Sequence, residues 1–360
     1  MSEPSPFPLP VTLDAVTRDW VEAALRTRAP GVRLLGCEVL DVIHGTCTKV
    51  RLQLELDAVG RAGGIPQWVI LKGGFEPHSR GMHAMHESEV RGYAEVLPIS
   101  PLRSPACHFA GYDAAARQGI VIMDDLVARG VDFCDAQKPQ TADEVAKRLS
   151  VLARHHALAW ASPELREGGR WGWTIPVLDA HRHYLAPFLE PEVWNGYRDL
   201  PRGAAASVRF HDRDWVSEAI ERLHRFAGTL PWTLLHGDTH LGNLYVDVDG
   251  QPGFFDSLPQ RGPAMNEIAY HLACALDVSD RRAHERALVA HYRDELVCHG
   301  VDAPPLDALM HQFGCFLAFG YSIFLINSPV FQKEAVNTAY TARFSAAMLD
   351  HDTIGKIAPL

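Results

Sequence analysis

The residues best suited to chemistry lie in one short stretch, His236-Gly237-Asp238-Thr239-His240-Leu241-Gly242-Asn243, followed by Asp256. Phosphoryl transfer from a nucleotide asks little of a protein. A carboxylate must orient the acceptor hydroxyl and take its proton, and hard oxygen ligands must hold magnesium on the phosphates. Asp238, Asn243 and Asp256 supply that set. Asn243 lies five residues after Asp238, and Asp256 lies thirteen after Asn243. Residues 244–248 and 254–255 read as two short strands, turned at Asp249-Gly250. A hairpin there brings the ends of the stretch together, so that one amide and one carboxylate can share a metal. Taken singly, Asp and Asn are ordinary turn residues. The two spacings, the hairpin and the flanking apolar strands together favour the chemical reading.

Further upstream, Lys72 closes the apolar run Trp68-Val69-Ile70-Leu71, where a lysine can reach the α- and β-phosphates. Glu89 falls in the next helix and is a partner for it, with Glu87 as a competitor. Gly45, between two strands, lets the backbone approach a phosphate, although a plain turn uses glycine equally well.

The elements that must position these residues divide by character. Residues 12–26 have helical spacing after Thr12 as a candidate N-cap. Strands follow at 39–43, 49–56, 68–71 and 119–123, with a helix at 87–97. Val50, Leu52, Leu54 and Leu56 alternate onto one face. After Asp124-Asp125-Leu126 the pattern turns helical. Residues 141–161 form a strong helix, with Thr141 and Glu144 as a capping box. Further helices are expected at 215–227, 281–299, 306–326 and 333–349. The reading is a β-rich first third, a joint near 124–130, and a helix-rich remainder with one embedded hairpin.

Bulk properties narrow the function. The 360 residues suit about two domains, and 47% hydrophobic with 22% charged residues excludes a disordered or fibrous chain. A net charge of −10 argues against nucleic acid or an anionic membrane as partner. Seven cysteines without a C-x-x-C pair read as reduced thiols of a cytoplasmic protein. Nineteen histidines without H-E-x-x-H do not make a metal hydrolase. The start, MSEPSPFPLP, has neither the basic residues nor the apolar run of a signal peptide. The longest mostly apolar run, 315–326, is short for a bilayer and is expected to be a buried helix.

The motifs HGDTHLGN at 236–243 and GFFD at 253–256 resemble the aminoglycoside phosphotransferase and choline kinase-like superfamily. The style is that of its ecdysteroid kinase-like and uncharacterised bacterial phosphotransferase branches. VILK at 69–72, ESEVRGY at 87–93, IVIMDDL at 120–126 and LARHHALAW at 152–160 support the resemblance, which runs from about residue 12 to about 350. It implies an α+β, protein kinase-like two-lobed fold, with a β-rich nucleotide-binding lobe at 1–125 and a helix-rich catalytic and acceptor-binding lobe at 126–360. It implies ATP and Mg2+ as cofactors, Asp238 as catalytic base, and Asn243 and Asp256 as magnesium ligands. Lys72 becomes the phosphate-contacting lysine. Glu89 becomes its partner, because Glu89-x-x-x-Tyr93 matches the family helix. Backbone near Met123, Asp124 and Asp125 becomes the adenine hinge, and Gly45-Thr46 the tip of the phosphate loop.

The chain departs from many relatives in three places. Ser257 stands where they have Trp, Asn266-Glu267 where they have an aspartate, and the phosphate loop is poor in glycine. His155-His156 also fits a family pattern and is read here as helix packing. A protein kinase is disfavoured because Asp256-Ser257-Leu258 replaces Asp-Phe-Gly and no activation segment follows. A pseudokinase, binding nucleotide without turnover, is disfavoured because all five chemical groups are present. The expected acceptor is a small-molecule hydroxyl. Trp171, Trp173, Tyr184, Trp194, Tyr197, Phe316, Tyr321 and Phe324 offer an apolar wall for a hydrophobic or cationic compound, or serve as plain core.

Overall fold

The computed structural model describes residues 7–138 and 140–360. The signal-peptide reading rests partly on residues 1–6, which lie outside the described residues. The chain forms two compact units. One runs to Asp132 and takes in Asp247–Asp249; the other comprises Phe133–Val246 and Gly250–Leu360.

The first unit is built on alternation. Val50, Leu52, Leu54 and Leu56 point to one side of β2 (Thr48–Leu56) and are at most 4% exposed. Burying each such side chain is worth about 1.5–3 kcal/mol. With β1 (Leu34–Ile43), β3 (Trp68–Gly73), β4 (Cys107–Asp113) and β5 (Gln118–Asp124), β2 forms an antiparallel sheet in the order β1-β2-β3-β5-β4. Strand β4 was not anticipated; its partly exposed alternation gives a weaker pattern than β5, where Gln118 to Met123 are all buried.

Two helix boundaries differ from expectation. The first helix, Arg18–Arg26, starts after Thr17, not Thr12, because the Thr17 side chain accepts from the Trp20 N–H at 3.2 Å. Thr12 leads only into a single 3-10 turn, Leu13–Ala15. The helix expected over 87–97 is His83–Arg91, continued by a π turn, Gly92–Val96, and a 3-10 turn, Leu97–Ile99. Pro98 lacks the N–H that would continue a regular helix.

In the second unit, Thr141 and Glu144 form the expected reciprocal cap on helix Ala142–Ala157. Helices Arg213–Ala227, Val278–Cys298, Leu306–Ile326 and Glu334–Asp350 follow the expected order. Helix Leu306–Ile326 is long and apolar enough to cross a bilayer by composition alone, but 83% of its most apolar window is buried among its neighbours. Helix Ala264–Ala275 is buried along its whole length. A helix with no solvent-facing side lacks the polar outer face that marks a surface helix. Among the described residues the seven cysteines form no disulfide.

Candidate active site

The candidate catalytic segment begins on the wholly buried strand Thr233–Leu235 and leaves it through His236 and Gly237. Gly237 has φ +92°, and a Cβ there would lie 1.9 Å from the Leu258 carbonyl oxygen. Only glycine fits such a turn. The turn is tied on both sides. The Leu258 N–H and the Ser257 hydroxyl donate to the His236 carbonyl at 3.0 and 3.1 Å. Ser257, the departure from Trp, therefore fastens the loop from behind.

Glu267, the second departure, does the same from the helix Ala264–Ala275. Its Oε1 accepts from the Gly237 N–H at 2.8 Å and its Oε2 from the His236 N–H at 3.2 Å. Oε2 also receives His156 Nε2 at 2.9 Å, while His156 Nδ1 meets the Tyr292 hydroxyl at 2.7 Å. Burial pushes the Glu267 carboxyl up. The His156 bond, the nearby histidines and the backbone amide outweigh it and hold the group at about 2. His156 thus reaches the loop that carries Asp238 through one carboxylate, which is more than the packing role read from sequence. The His271 ring adds a third tie, with Nδ1 3.0 Å from the Thr239 carbonyl oxygen.

Asp238 emerges from this support with its side chain 30% exposed. Asn243 Nδ2 donates to Asp238 Oδ2 at 2.8 Å, and the Tyr270 hydroxyl donates to Oδ1 at 3.0 Å. His240 Nε2 stands 3.5 Å from Oδ2. The Gly242 N–H donates to His240 Nδ1 at 3.0 Å, so in the neutral ring the proton sits on Nε2, facing Asp238. A Cβ on Gly242 would lie 2.6 Å from the His240 ring, which explains the glycine two residues later. Burial pushes the Asp238 carboxyl up; His240, then His236 and the Tyr270 hydroxyl, outweigh it and leave the group below its ordinary value.

Asn243 and Asp256 are joined by the hairpin. Leu244 pairs with Phe254, and the Phe255 N–H donates to the Asn243 carbonyl at 3.0 Å. Asp256 follows at φ +53°, a left-handed conformation that costs a non-glycine residue energy and concentrates at functional sites. The Asn243 amide nitrogen is committed to Asp238, so its oxygen is the end left for a cation. An amide oxygen and a carboxylate are the hard donors that magnesium takes. A cavity of about 10 Å³ lies beneath the loop, bounded by Gly237, Asn266, Glu267 and Tyr270. It has room for one water, and the Asn266 Oδ1 atom, buried without a partner, is the group such a water would serve.

In the first unit, Lys72 on β3 is 8% exposed, and its Nζ lies 2.6 Å from Glu89 Oε1. Glu89, not Glu87, is the residue brought to Lys72. Gly45 and Thr46 lie in the β1–β2 connection, where His78 Nε2 is 3.2 Å from the Thr46 carbonyl oxygen. A Cβ on Gly45 would touch only the Cys47 carbonyl at 3.7 Å, so this glycine is not sterically required. The side chains at the candidate hinge are committed elsewhere. Met123 Sδ accepts from the Tyr93 hydroxyl, Asp124 Oδ1 lies 2.8 Å from His108 Nε2, and Asp125 caps a short helix and pairs with Arg51. Only backbone groups remain there to meet a base.

The apolar wall expected at the acceptor side is largely core. Trp171, Trp194, Phe316, Tyr321 and Phe324 are at most 6% exposed. Trp173 and Tyr197 are partly buried, and Tyr184 alone of the eight is exposed. Phe324 packs behind the site, against Tyr270 and His240. Tyr270 and His240 were not singled out from sequence. The signals that could have found them were the spacing of Tyr270 three residues after Glu267, which puts both on one helix face, and the His-x-Gly pair at 240–242.

No protein-family model matches the chain, and no curated protein matches it in sequence. Solved structures do match. The GDP and kanamycin complex of APH(2")-IIia aligns with TM-score 0.51 at 11% identity, over 94% of this chain and 99% of that one. A GDP complex of a mutant aminoglycoside 2'-phosphotransferase-IIIa gives 0.50 at 11% identity, over 94% and 98%. LicA, a choline kinase from Streptococcus pneumoniae, gives 0.49 at 11% identity, over 95% and 99%. The fold expected from the resemblance, α+β and kinase-like, is the fold the chain shares with the aminoglycoside phosphotransferase structures.

Proposed function

We propose that this protein is an ATP- and magnesium-dependent phosphotransferase that moves the γ-phosphoryl group to a hydroxyl of a small molecule. The observation that carries the reading is the joining of Asp238, Asn243 and Asp256. The Asn243 side chain is bonded to the Asp238 carboxylate, and the hairpin ladder delivers Asp256 beside Asn243. The fold it shares is found in proteins solved with GDP, and in one of them with kanamycin.

In this reading Asp238 receives the acceptor hydroxyl, orients it toward the γ-phosphorus and takes its proton as the new bond forms. An ionised carboxylate suits that role, and the hydrogen-bond donors around Asp238 favour the ionised form. Asn243 Oδ1 and the Asp256 carboxylate would hold magnesium, which supplies charge neutralisation on the phosphates when bound. Lys72, oriented by Glu89, would contact the α- and β-phosphates. The Gly45-Thr46 backbone would approach the phosphates, and the backbone of 123–125 would meet the base. The acceptor is a small hydroxyl compound. With most of the candidate aromatic wall in the core, a hydrophobic acceptor has less support than a polar one.

The reading is tested by following ATP consumption over a panel of hydroxyl compounds, with and without excess EDTA. Magnesium-dependent ADP release stimulated by at least one acceptor is expected. ATP binding without turnover for every acceptor would point instead to a nucleotide-binding pseudokinase.

A further inference from the structure

Tyr270 stands on the helix Ala264–Ala275, on the face that also carries Glu267 to the catalytic loop. Its ring stacks on Phe324 with centroids 5.5 Å apart and planes 12° apart, and it lies 6.0 Å from both Phe319 and Phe344. Phenylalanine would serve that packing as well, as it does at the three neighbouring positions. Only the hydroxyl distinguishes tyrosine here, and a hydroxyl buried beside a carboxylate is costly unless it is bonded. It donates to Asp238 Oδ1 at 3.0 Å. Oδ2 is met by Asn243 Nδ2 at 2.8 Å and faced by His240 Nε2 at 3.5 Å. A carboxylate oxygen offers about two acceptor positions. Asn243 therefore takes one direction at Oδ2, the His240 ring stands over the other, and one at Oδ1 is left beside the Tyr270 bond.

We propose that Tyr270 is a positioning residue for phosphoryl transfer: its hydroxyl, with the Asn243 amide, fixes the plane of the Asp238 carboxylate and leaves the second lone pair of Oδ1 to receive the acceptor hydroxyl. The proposal rests on the phosphotransferase reading above. In the step, the acceptor O–H bond breaks and its proton passes to Oδ1. The acceptor oxygen bonds the γ-phosphorus. The bond from that phosphorus to the β–γ bridging oxygen breaks, and its electron pair leaves with ADP. A carboxylate free to turn would present the wrong lone pair part of the time. Two donors, one on each oxygen, remove that freedom before the acceptor arrives.

Tyr270→Phe keeps the ring and removes the hydroxyl. In a magnesium-dependent ATP turnover assay, kcat should fall roughly 10- to 100-fold. KM for ATP and the melting temperature should stay near those of the unmodified protein. Unchanged kcat overturns the proposal. So does a fall in kcat that comes with lost ATP affinity or lost thermal stability, because that marks a packing role. If the unmodified protein consumes no ATP with any acceptor, the phosphotransferase reading fails by itself. The positioning role is then judged by a crystal structure of Tyr270→Phe. There the Asp238 carboxylate should turn or split into two conformers, and a single unmoved carboxylate overturns the proposal.

Discussion

Glu267 and His156 meet in the core of the helical unit with Oε2 and Nε2 2.9 Å apart, and the same carboxylate receives the backbone amides of His236 and Gly237. The loop that carries Asp238 is therefore held from below by a charge, not only by packing. Glu267→Ala would leave two amides and an imidazole buried without their acceptor. Breaking one side of a buried pair costs about 3–5 kcal/mol. Urea and thermal melts of the full chain should show a loss of that order, and turnover should fall with it. Glu267→Ala melting like the unmodified protein would sink this account of the loop.

Acid should destabilise the protein in two stages. Burial, the leading cause in each case, lowers His86 and His271 to about 4 and His155 and His181 to about 3, from 6.5. Between those values the unfolded chain binds more protons than the folded one. The stability these neutral rings contribute is thus fully present above pH 6.5 and is lost as pH falls below it. Each ring adds about 1.4 kcal/mol per pH unit to the slope while it is in this window. Glu267, held at about 2 against 4.5, adds a second loss that begins only below about pH 4.5. Urea midpoints measured from pH 8 to pH 4 should decline from near pH 6.5. A flat profile down to pH 5 would contradict the burial of these rings.

Gly237→Ala places a methyl carbon 1.9 Å from the Leu258 oxygen at a backbone φ of +92°. The loop must move to admit it. We expect a destabilisation on the order of 1–3 kcal/mol from backbone strain and loss of turnover. Gly45→Ala, with only a 3.7 Å contact in prospect, should fold normally and retain nucleotide binding. The pair of variants, compared by calorimetric ATP titration and melting, separates a required glycine from a permitted one.

Asp238→Ala should remove most turnover, by roughly 10²–10⁴-fold, while ATP binding persists, since under the proposed function this residue meets the acceptor and not the nucleotide. Asp256→Ala should instead weaken magnesium-dependent nucleotide binding. Parallel titrations with ATP in magnesium and in EDTA distinguish the two. Equal losses of ATP affinity in both variants would refute the division of roles.

Lys72→Met removes the partner of a glutamate that is 4% exposed. Lys72→Met alone should melt lower than the Lys72→Met, Glu89→Gln double variant, because the single change removes the lysine from a close buried ion pair and keeps the carboxylate. Both should bind ATP more weakly than the unmodified protein. The reverse order of melting temperatures would mean that Glu89 has another partner of equal strength.

Much of this site could be read in the linear order of residues. Asp238, Asn243 and Asp256 were found because hairpin geometry converts two spacings into proximity. Lys72 could be picked out because it ends an apolar strand, whereas local pattern left Glu87 and Glu89 in competition, and the family resemblance at Glu89-x-x-x-Tyr93 chose between them. The boundaries that slipped did so for local reasons as well. Thr17 and Thr12 have the same side chain, and the choice between them depends on which one the Trp20 amide can reach.

The fully buried helix Ala264–Ala275 marks the limit of such reading. A helix buried on all sides has no solvent face to set its orientation, so the i, i+3 spacing could put Glu267 and Tyr270 on one face but could not say what that face meets. The eight aromatics illustrate the same point. Aromatic residues at helical spacing satisfy a core and a binding wall equally well, and here packing took most of them. The sequence by itself determined which chemical groups are present, which lie close along the chain, and the kind of reaction they suit. Only the tertiary structure decided which buried carboxylate holds the loop and which hydroxyl meets Asp238, because those contacts join residues about thirty and more than a hundred positions apart, where spacing carries no information.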